Sequence, residues 1–167
     1  MRRAHGYSLI ELLVVLAILG LLASMAMPLA RMSAERAREH ELKRDLWEIR
    51  DALDNYAAAR KSGAILPVDG VDPAVPYPAD LETLTHVFSD QRVGHHGESL
   101  RFLRSVPRDP FADTELPAEQ SWATRSFFDG VDDAHAQTTA RGAIADVYDV
   151  HSRTAGQALD GTSLNQW

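Results

Sequence analysis

Hydrophobic and polar residues follow three different patterns along the chain. The first is an uninterrupted apolar run over residues 12–30, which contains no charged side chain. A helix of about 20 apolar residues is long enough to cross a lipid bilayer. The pattern therefore predicts a transmembrane helix over residues 7–30. Arg2 and Arg3 precede the run and most acidic residues follow it, which favours a cytoplasmic N-terminus and an exported remainder.

The second pattern, over residues 31–62, is that of an amphipathic helix. The segment is rich in Ala, Glu, Arg and Leu, which favour helix, and Gly63 is placed to cap its C-terminus. One continuous helix is therefore predicted from about Tyr7 to about Lys61. Apolar residues at spacings of three and four form a stripe too short for a coiled coil, so packing on a sheet of the same chain is favoured. The stripe consists of Leu42, Leu46, Ile49, Leu53 and Tyr56.

The third pattern, over residues 63–167, predicts a small loop-rich head domain. It contains seven of the eight prolines in the chain, and prolines interrupt regular structure. A short helix is predicted over residues 78–84, and strands are predicted over 121–128 and 143–150, on either side of a Gly- and Asp-rich turn at 129–133. The predicted fold class is α+β, with a long N-terminal helix packed on a small antiparallel β-sheet.

Charge and composition exclude several classes of function. The net charge is −7, which argues against nucleic acid as the main partner, and residues 62–167 alone carry −9. The chain has no cysteine, so thiolate metal sites, thiol catalysis and disulfides are excluded. No Gly-rich phosphate loop or nucleophile elbow occurs, and neither an enzymatic function nor a cofactor is predicted.

Two groups of polar residues deserve consideration as metal sites. His95 and His96 are adjacent and flanked by glycines, so a solvated loop is the favoured interpretation. Asp129, Asp132 and Asp133 lack the spacing and terminal Glu of an EF-hand, so a solvated turn is favoured over a second cation site.

Glu11 is a carboxylate at the start of the apolar segment. A charge at the centre of a bilayer costs about 3 kcal/mol, so Glu11 either has a partner or lies near the headgroups and marks the helix start. Three interpretations of the segment follow: a plain membrane anchor, a conventional signal peptide cleaved after Ala26, or an assembly segment in which Glu11 has a partner.

The residues around Glu11 resemble the class III signal of type IV pilins and pseudopilins. The resemblance implies that a prepilin peptidase removes residues 1–6, that Tyr7 becomes the N-methylated first residue, and that Glu11 pairs with the terminal amine of a neighbouring subunit. Pro28 matches the place where the helix of that family bends, whereas Tyr7 departs from the usual Phe. The motif, which follows the basic leader, is Gly6-Tyr7-Ser8-Leu9-Ile10-Glu11.

The head is similar to that of the G-type major pseudopilins of type II secretion, where a Pro-x-Asp-Pro-aromatic element enters the first strand of the sheet. The resemblance implies a type IV pilin-like fold, and a subunit that polymerises into the periplasmic pseudopilus and helps drive the export of folded proteins. The segments that carry it are Tyr77-Pro78, Val106-Pro107-Arg108-Asp109-Pro110-Phe111 and the closing Asn165-Gln166-Trp167.

The resemblance also implies partners and a location. The partners would be other pseudopilin subunits, the prepilin peptidase and the inner-membrane assembly platform, and the chain would cross the bacterial inner membrane once with its head in the periplasm. Two alternatives stay open: a type IV pilus or competence minor pilin, and a periplasmic binding domain held by a signal anchor.

One departure from the G-type pattern concerns calcium. That family holds the loop after its penultimate strand with Ca²⁺, which takes oxygen ligands. In this chain only Asp149 and Asp160 are available there. The alternative expectation is that the loop is held by packing of Leu159, Leu164 and Trp167.

Overall fold

The computed structural model describes residues 8–66, 75–95, 97–127 and 146–167, and of residues 25–29 it describes the backbone but not the side chains. Helix α1 spans Leu9–Lys61 and is followed by strands β1 (Phe88–Ser89) and β2 (Ser99–Leu100). Helix α2 (Ala118–Ser121) leads into strand β3 (Trp122–Arg125), and strand β4 (Asp149–Ser152) precedes the C-terminus. Single 3₁₀ turns occur at Glu82–Thr85 and Leu164–Gln166. The predicted α+β class is confirmed.

Helix α1 begins and ends where local chemistry requires. The Ser8 hydroxyl caps its first turn, and the C-terminus closes in a Schellman motif at Gly63, whose φ is 74°. In that motif the Gly63 N–H donates to the Arg60 carbonyl and the Ala64 N–H donates to the Ala59 carbonyl. The predicted helix and its cap are thus confirmed over the described residues.

The chain divides into two compact units, Met1–Arg38 and Glu39–Trp167. The hydrophobic core lies in the second unit, and the predicted stripe of α1 forms one side of it. Each of its five residues is at most 2% exposed. Burying one such side chain contributes about 1.5–3 kcal/mol to the stability of the fold. Two-stranded sheets this short are not stable alone, so they depend on packing against the helix. The stripe packs with Leu84, Leu103, Trp122, Val150 and Leu164.

The described strands form two separate antiparallel pairs. Strand β1 pairs with β2, with Phe88 opposite Leu100, and β3 pairs with β4, with Trp122 opposite Ser152 and Arg125 opposite Asp149. The sequence predicted strands at 121–128 and 143–150, so the first is placed correctly but runs too long.

The second predicted strand is wrong in its position, because residues 146–148 precede β4. The Asp146 carboxylate accepts hydrogen bonds from the Ser126 hydroxyl and the Phe127 N–H, and the Tyr148 N–H donates to the Arg125 carbonyl of β3. The Val147 N–H donates to the Pro78 carbonyl instead of to β3. Residues 143–145 and the predicted turn at 129–133 lie outside the described residues.

The predicted helix at 78–84 is reduced to one 3₁₀ turn. Asp80 Oδ1 accepts from both the N–H and the hydroxyl of Thr83 and so starts the turn late, and the backbone is extended again at His86. The predicted apolar pair, Leu81 and Leu84, is nevertheless buried in the core.

Candidate functional site

The first turn of α1 carries the polar groups of the predicted assembly segment. Ser8 lies immediately before the helix, and its hydroxyl oxygen accepts the Glu11 backbone N–H at 3.3 Å. Glu11 is in the first turn and exposed. The helix dipole favours a negative charge there. The cleavage-site residues Gly6 and Tyr7 lie outside the described residues, and Pro28 lies within α1 at a position whose side chain is not described.

Apolar side chains surround Glu11 along the first part of α1. They lie on every face of the helix and are 47–77% exposed. A helix that is apolar all round is normally buried, either in lipid or among other helices. The exposed residues are Leu9, Ile10, Leu12, Leu13, Val14, Val15, Leu16, Ile18, Leu19, Leu21 and Leu22.

Within the described part of the chain, none of the helices has a stretch both long and apolar enough to traverse a bilayer. The predicted transmembrane segment, residues 7–30, includes Tyr7 and the side chains of residues 25–29, which are not described. That segment, like the predicted boundaries at residues 30 and 62, stays a prediction.

In the head, a buried aspartate joins the Pro-x-Asp-Pro element to the last strand. Asp109 is 0% exposed. One of its carboxyl oxygens accepts the Phe111 N–H at 2.8 Å, and the other accepts the Ser152 hydroxyl at 2.6 Å. Its own N–H donates to the Ser121 hydroxyl at 3.1 Å. The carboxyl group thus connects the element directly to β4.

Two further bonds hold the same element. The Trp122 indole N–H donates to the Pro107 carbonyl at 2.8 Å, and the Thr154 hydroxyl donates to the Phe111 carbonyl at 3.0 Å. The element itself forms neither helix nor strand and lies ahead of α2. In this chain the element leads to strand β3 through the short helix α2.

The two carboxylates expected as candidate calcium ligands each accept hydrogen bonds at Oδ1. Asp149 Oδ1 accepts from Arg50 Nε at 2.8 Å and from the Val150 N–H at 2.8 Å. Asp160 Oδ1 accepts the N–H and the hydroxyl of Thr162, and these hydrogen bonds lower the pKa of Asp160.

The packing that the sequence predicted for the last loop is correct only in part. Leu164 is buried and Trp167 packs against the core, but Leu159 is 43% exposed. It is the backbone N–H of Leu159 that is bound, by the Glu39 carboxylate at 2.6 Å. The prediction is therefore correct for Leu164 and Trp167 and wrong for Leu159.

One group of potential metal ligands occurs among the described residues, in the β1–β2 loop. The ligand atoms of Asp90, His95 and Glu98 lie within 4.8 Å of one another. Asp90, which is buried, is bound at both oxygens by the Arg92 guanidinium, and these bonds lower its pKa to about 2. A cation at Asp90 would therefore lie against a positive charge. Asp90 and Arg92 therefore form an ion pair within this loop.

Of the histidine and aspartate groups considered from the sequence, His95 is the one member that lies among the described residues. Its Nδ1 lies 3.0 Å from Glu98 Oε2 in this exposed loop. His96, Asp129, Asp132 and Asp133 lie outside the described residues.

Comparisons with known proteins find a family motif at the N-terminus and several similar proteins. Residues 1–27 match the prokaryotic N-terminal methylation motif. The chain is 27% identical to the type II secretion system core protein G of Klebsiella pneumoniae over 114 residues, which is 66% of this chain and 71% of that protein. It is 27% identical over 113 residues to the protein of the same name from Vibrio cholerae serotype O1, covering 66% of this chain and 68% of that protein.

A shorter similarity links it to the core protein G of Aeromonas hydrophila, at 38% identity over 55 residues, which is 33% of this chain and 38% of that protein. No solved structure matches the chain. The N-terminal methylation motif, the long N-terminal helix and these three similarities together make this chain similar to the core G proteins of type II secretion systems.

Proposed function

We propose that this chain is a structural subunit that polymerises into the periplasmic pseudopilus of a type II secretion system and helps drive the export of folded proteins. The observation that carries the proposal is the first part of α1, where an exposed carboxylate, Glu11, stands in the first helical turn among apolar side chains that are exposed on every face. Such a surface suits burial in lipid before assembly and among other helices afterwards.

The proposed cycle begins with cleavage between Gly6 and Tyr7 by a prepilin peptidase, followed by N-methylation of Tyr7. Glu11 then pairs with the terminal ammonium of a neighbouring subunit. In apolar surroundings an unpaired charge is strongly unfavourable, so a subunit out of register leaves two uncompensated charges. Glu11 thereby sets the alignment of each incoming subunit.

The proposed location is the bacterial inner membrane, crossed once, with the head in the periplasm. The partners are other pseudopilins, the prepilin peptidase and the assembly platform, which supply the processing and the energy. The −9 charge of residues 62–167 suits a head that stays on the hydrated outside of the filament. The proposed role is structural rather than catalytic.

The first test is the intact mass and N-terminal sequence of the protein purified from the membrane fraction. An N-methylated Tyr7 start supports the proposal. A start at Met27 identifies a conventional signal peptide and a released periplasmic protein, and an intact Met1 identifies a plain anchor. Either of these would refute the proposal.

The second test is Glu11→Ala in a strain whose own copy of the protein is deleted. The variant should insert into the membrane and be processed, but should support neither filament formation nor secretion. The matched control is Glu35→Ala, which removes an exposed carboxylate from the same helix outside the apolar run. Normal secretion by Glu11→Ala would contradict the assigned role of the carboxylate.

A further inference from the structure

Three oxygen atoms from the end of the chain converge on one side chain of α1. Arg50 Nε donates to Asp149 Oδ1 at 2.8 Å, while Arg50 Nη2 donates to the Val150 carbonyl at 3.0 Å and to a backbone oxygen of Trp167 at 2.9 Å. The ion pair with Asp149 is partly shielded, because the carboxylate side chain is only 24% exposed. A carboxylate and two backbone oxygens are the kinds of oxygen ligand that Ca²⁺ selects.

The arrangement around Asp149 does not fit a calcium ion. Asp149 Oδ1 already accepts two hydrogen bonds, from Arg50 and from the Val150 N–H. A divalent cation at that carboxylate would lie beside the guanidinium, and the two positive charges would repel each other. The second available carboxylate, Asp160, is engaged within its own turn by Thr162.

The remainder of the segment after β4 has direct contacts to other protein groups. Glu39 accepts the Leu159 N–H at 2.6 Å, and the Trp167 indole N–H donates to the Thr162 hydroxyl at 2.8 Å. The ammonium of Lys43 lies 4.0 Å from the centre of the Trp167 ring, a cation–π contact. Arg50, Lys43 and Glu39 all belong to α1, so the helix supplies several of the contacts that hold the segment.

We propose that Arg50 takes the place of a metal ion in this head: it binds the start of β4, through Asp149 and Val150, and also Trp167, so that the segment after β4, residues 153–167, is ordered without calcium. The guanidinium is a permanent positive charge with donors in a fixed planar fork, so it can satisfy a carboxylate and two backbone oxygens at once. The head is then independent of the divalent-cation concentration around it.

The test uses the full chain in detergent micelles, with hydrogen exchange of residues 156–167 and the thermal midpoint measured in EDTA and in millimolar CaCl₂. The unmodified protein should give the same exchange rates and the same midpoint in both. Arg50→Gln should exchange at least about tenfold faster in this segment, while Arg104→Gln, which removes an exposed guanidinium from the head, should behave as the unmodified protein.

Slower exchange or a raised midpoint in CaCl₂ for the unmodified protein would overturn the proposal, as would unchanged exchange in Arg50→Gln. If Arg50→Gln does not fold, Asp149→Asn gives the second measurement, since it removes the charged partner and leaves both backbone acceptors in place. Faster exchange confined to residues 156–167 supports the proposal, and exchange equal to that of the unmodified protein refutes it. These readouts do not involve secretion, so they stand apart from the tests of the proposed function.

Discussion

Replacing Asp109 tests whether the Pro-x-Asp-Pro element is fixed by its buried carboxyl group. In Asp109→Ala the Ser152 hydroxyl, which is 0% exposed, and the partly buried Phe111 N–H both lose their acceptor. Each unsatisfied buried group costs about 1–3 kcal/mol, so the free energy of unfolding should fall by about 2–6 kcal/mol. Asp109→Asn keeps the shape and one acceptor oxygen and should lose less, about 1–3 kcal/mol.

The assay is urea unfolding of the full chain in detergent, followed by tryptophan fluorescence, for which the buried Trp122 is a probe next to the element. Asp113→Ala is the matched control, because Asp113 lies in the same loop but is exposed and accepts only the Glu115 N–H among the bonds described for its side chain. The control should change stability by no more than about 0.5 kcal/mol. If Asp109→Ala differs from this control by less than 1 kcal/mol, the carboxyl group does not hold the element and the reasoning fails.

Three further substitutions test the core, the loop and the helix end. Ile49→Ala should destabilise the head by about 2–5 kcal/mol in the same urea assay, whereas its exposed neighbour Glu48→Ala should have little effect. Hydrogen bonds from Arg92 lower the pKa of Asp90 from 3.8 to about 2, so the ionised carboxylate stabilises the fold above about pH 4 and this contribution is lost as the pH falls to 2. Urea midpoints measured between about pH 5 and 2 should therefore decrease less in Asp90→Asn than in the unmodified protein. Gly63→Ala should lower the stability of the fold by about 1 kcal/mol because of the φ of 74° alone, since no atom lies within 4 Å of an added Cβ. Thermal unfolding followed by circular dichroism measures this loss.

The periodic part of the fold could be predicted from the sequence because its signal is local. Leu46 and Tyr56 belong to one helical stripe whatever lies opposite, and Gly63 marks the helix end through its own backbone preference. The start of β4 could not be predicted, because the residues before it are held by hydrogen bonds that the Asp146 carboxylate accepts from residues about 20 positions earlier. The alternation of apolar and polar residues contains no information about hydrogen bonds between residues so far apart in the sequence.

The contacts of the candidate sites were missed for the same reason. Asp109 stands out in the sequence through its resemblance to a family element, yet its partner Ser152 is 43 residues away. Arg50 lies 99 residues from Asp149 and looks like any charged residue on the outer face of an amphipathic helix. The sequence shows only that Arg50 lies next to the buried stripe. That position does not distinguish an arginine that binds another segment from one that is solvated.

The sequence allowed two interpretations of Glu11, a mark of the helix start and an assembly residue. In the structure, different groups are available for the two roles. The contact that caps α1 joins the Ser8 hydroxyl to the backbone N–H of Glu11, so it does not involve the Glu11 carboxylate. Removing the side chain therefore leaves that cap intact and removes only a favourable charge in the first turn, worth about 0.3–1 kcal/mol. A complete loss of assembly in Glu11→Ala would exceed what such a change in helix stability can cause. The defect would then belong to the carboxylate and its partner on another subunit.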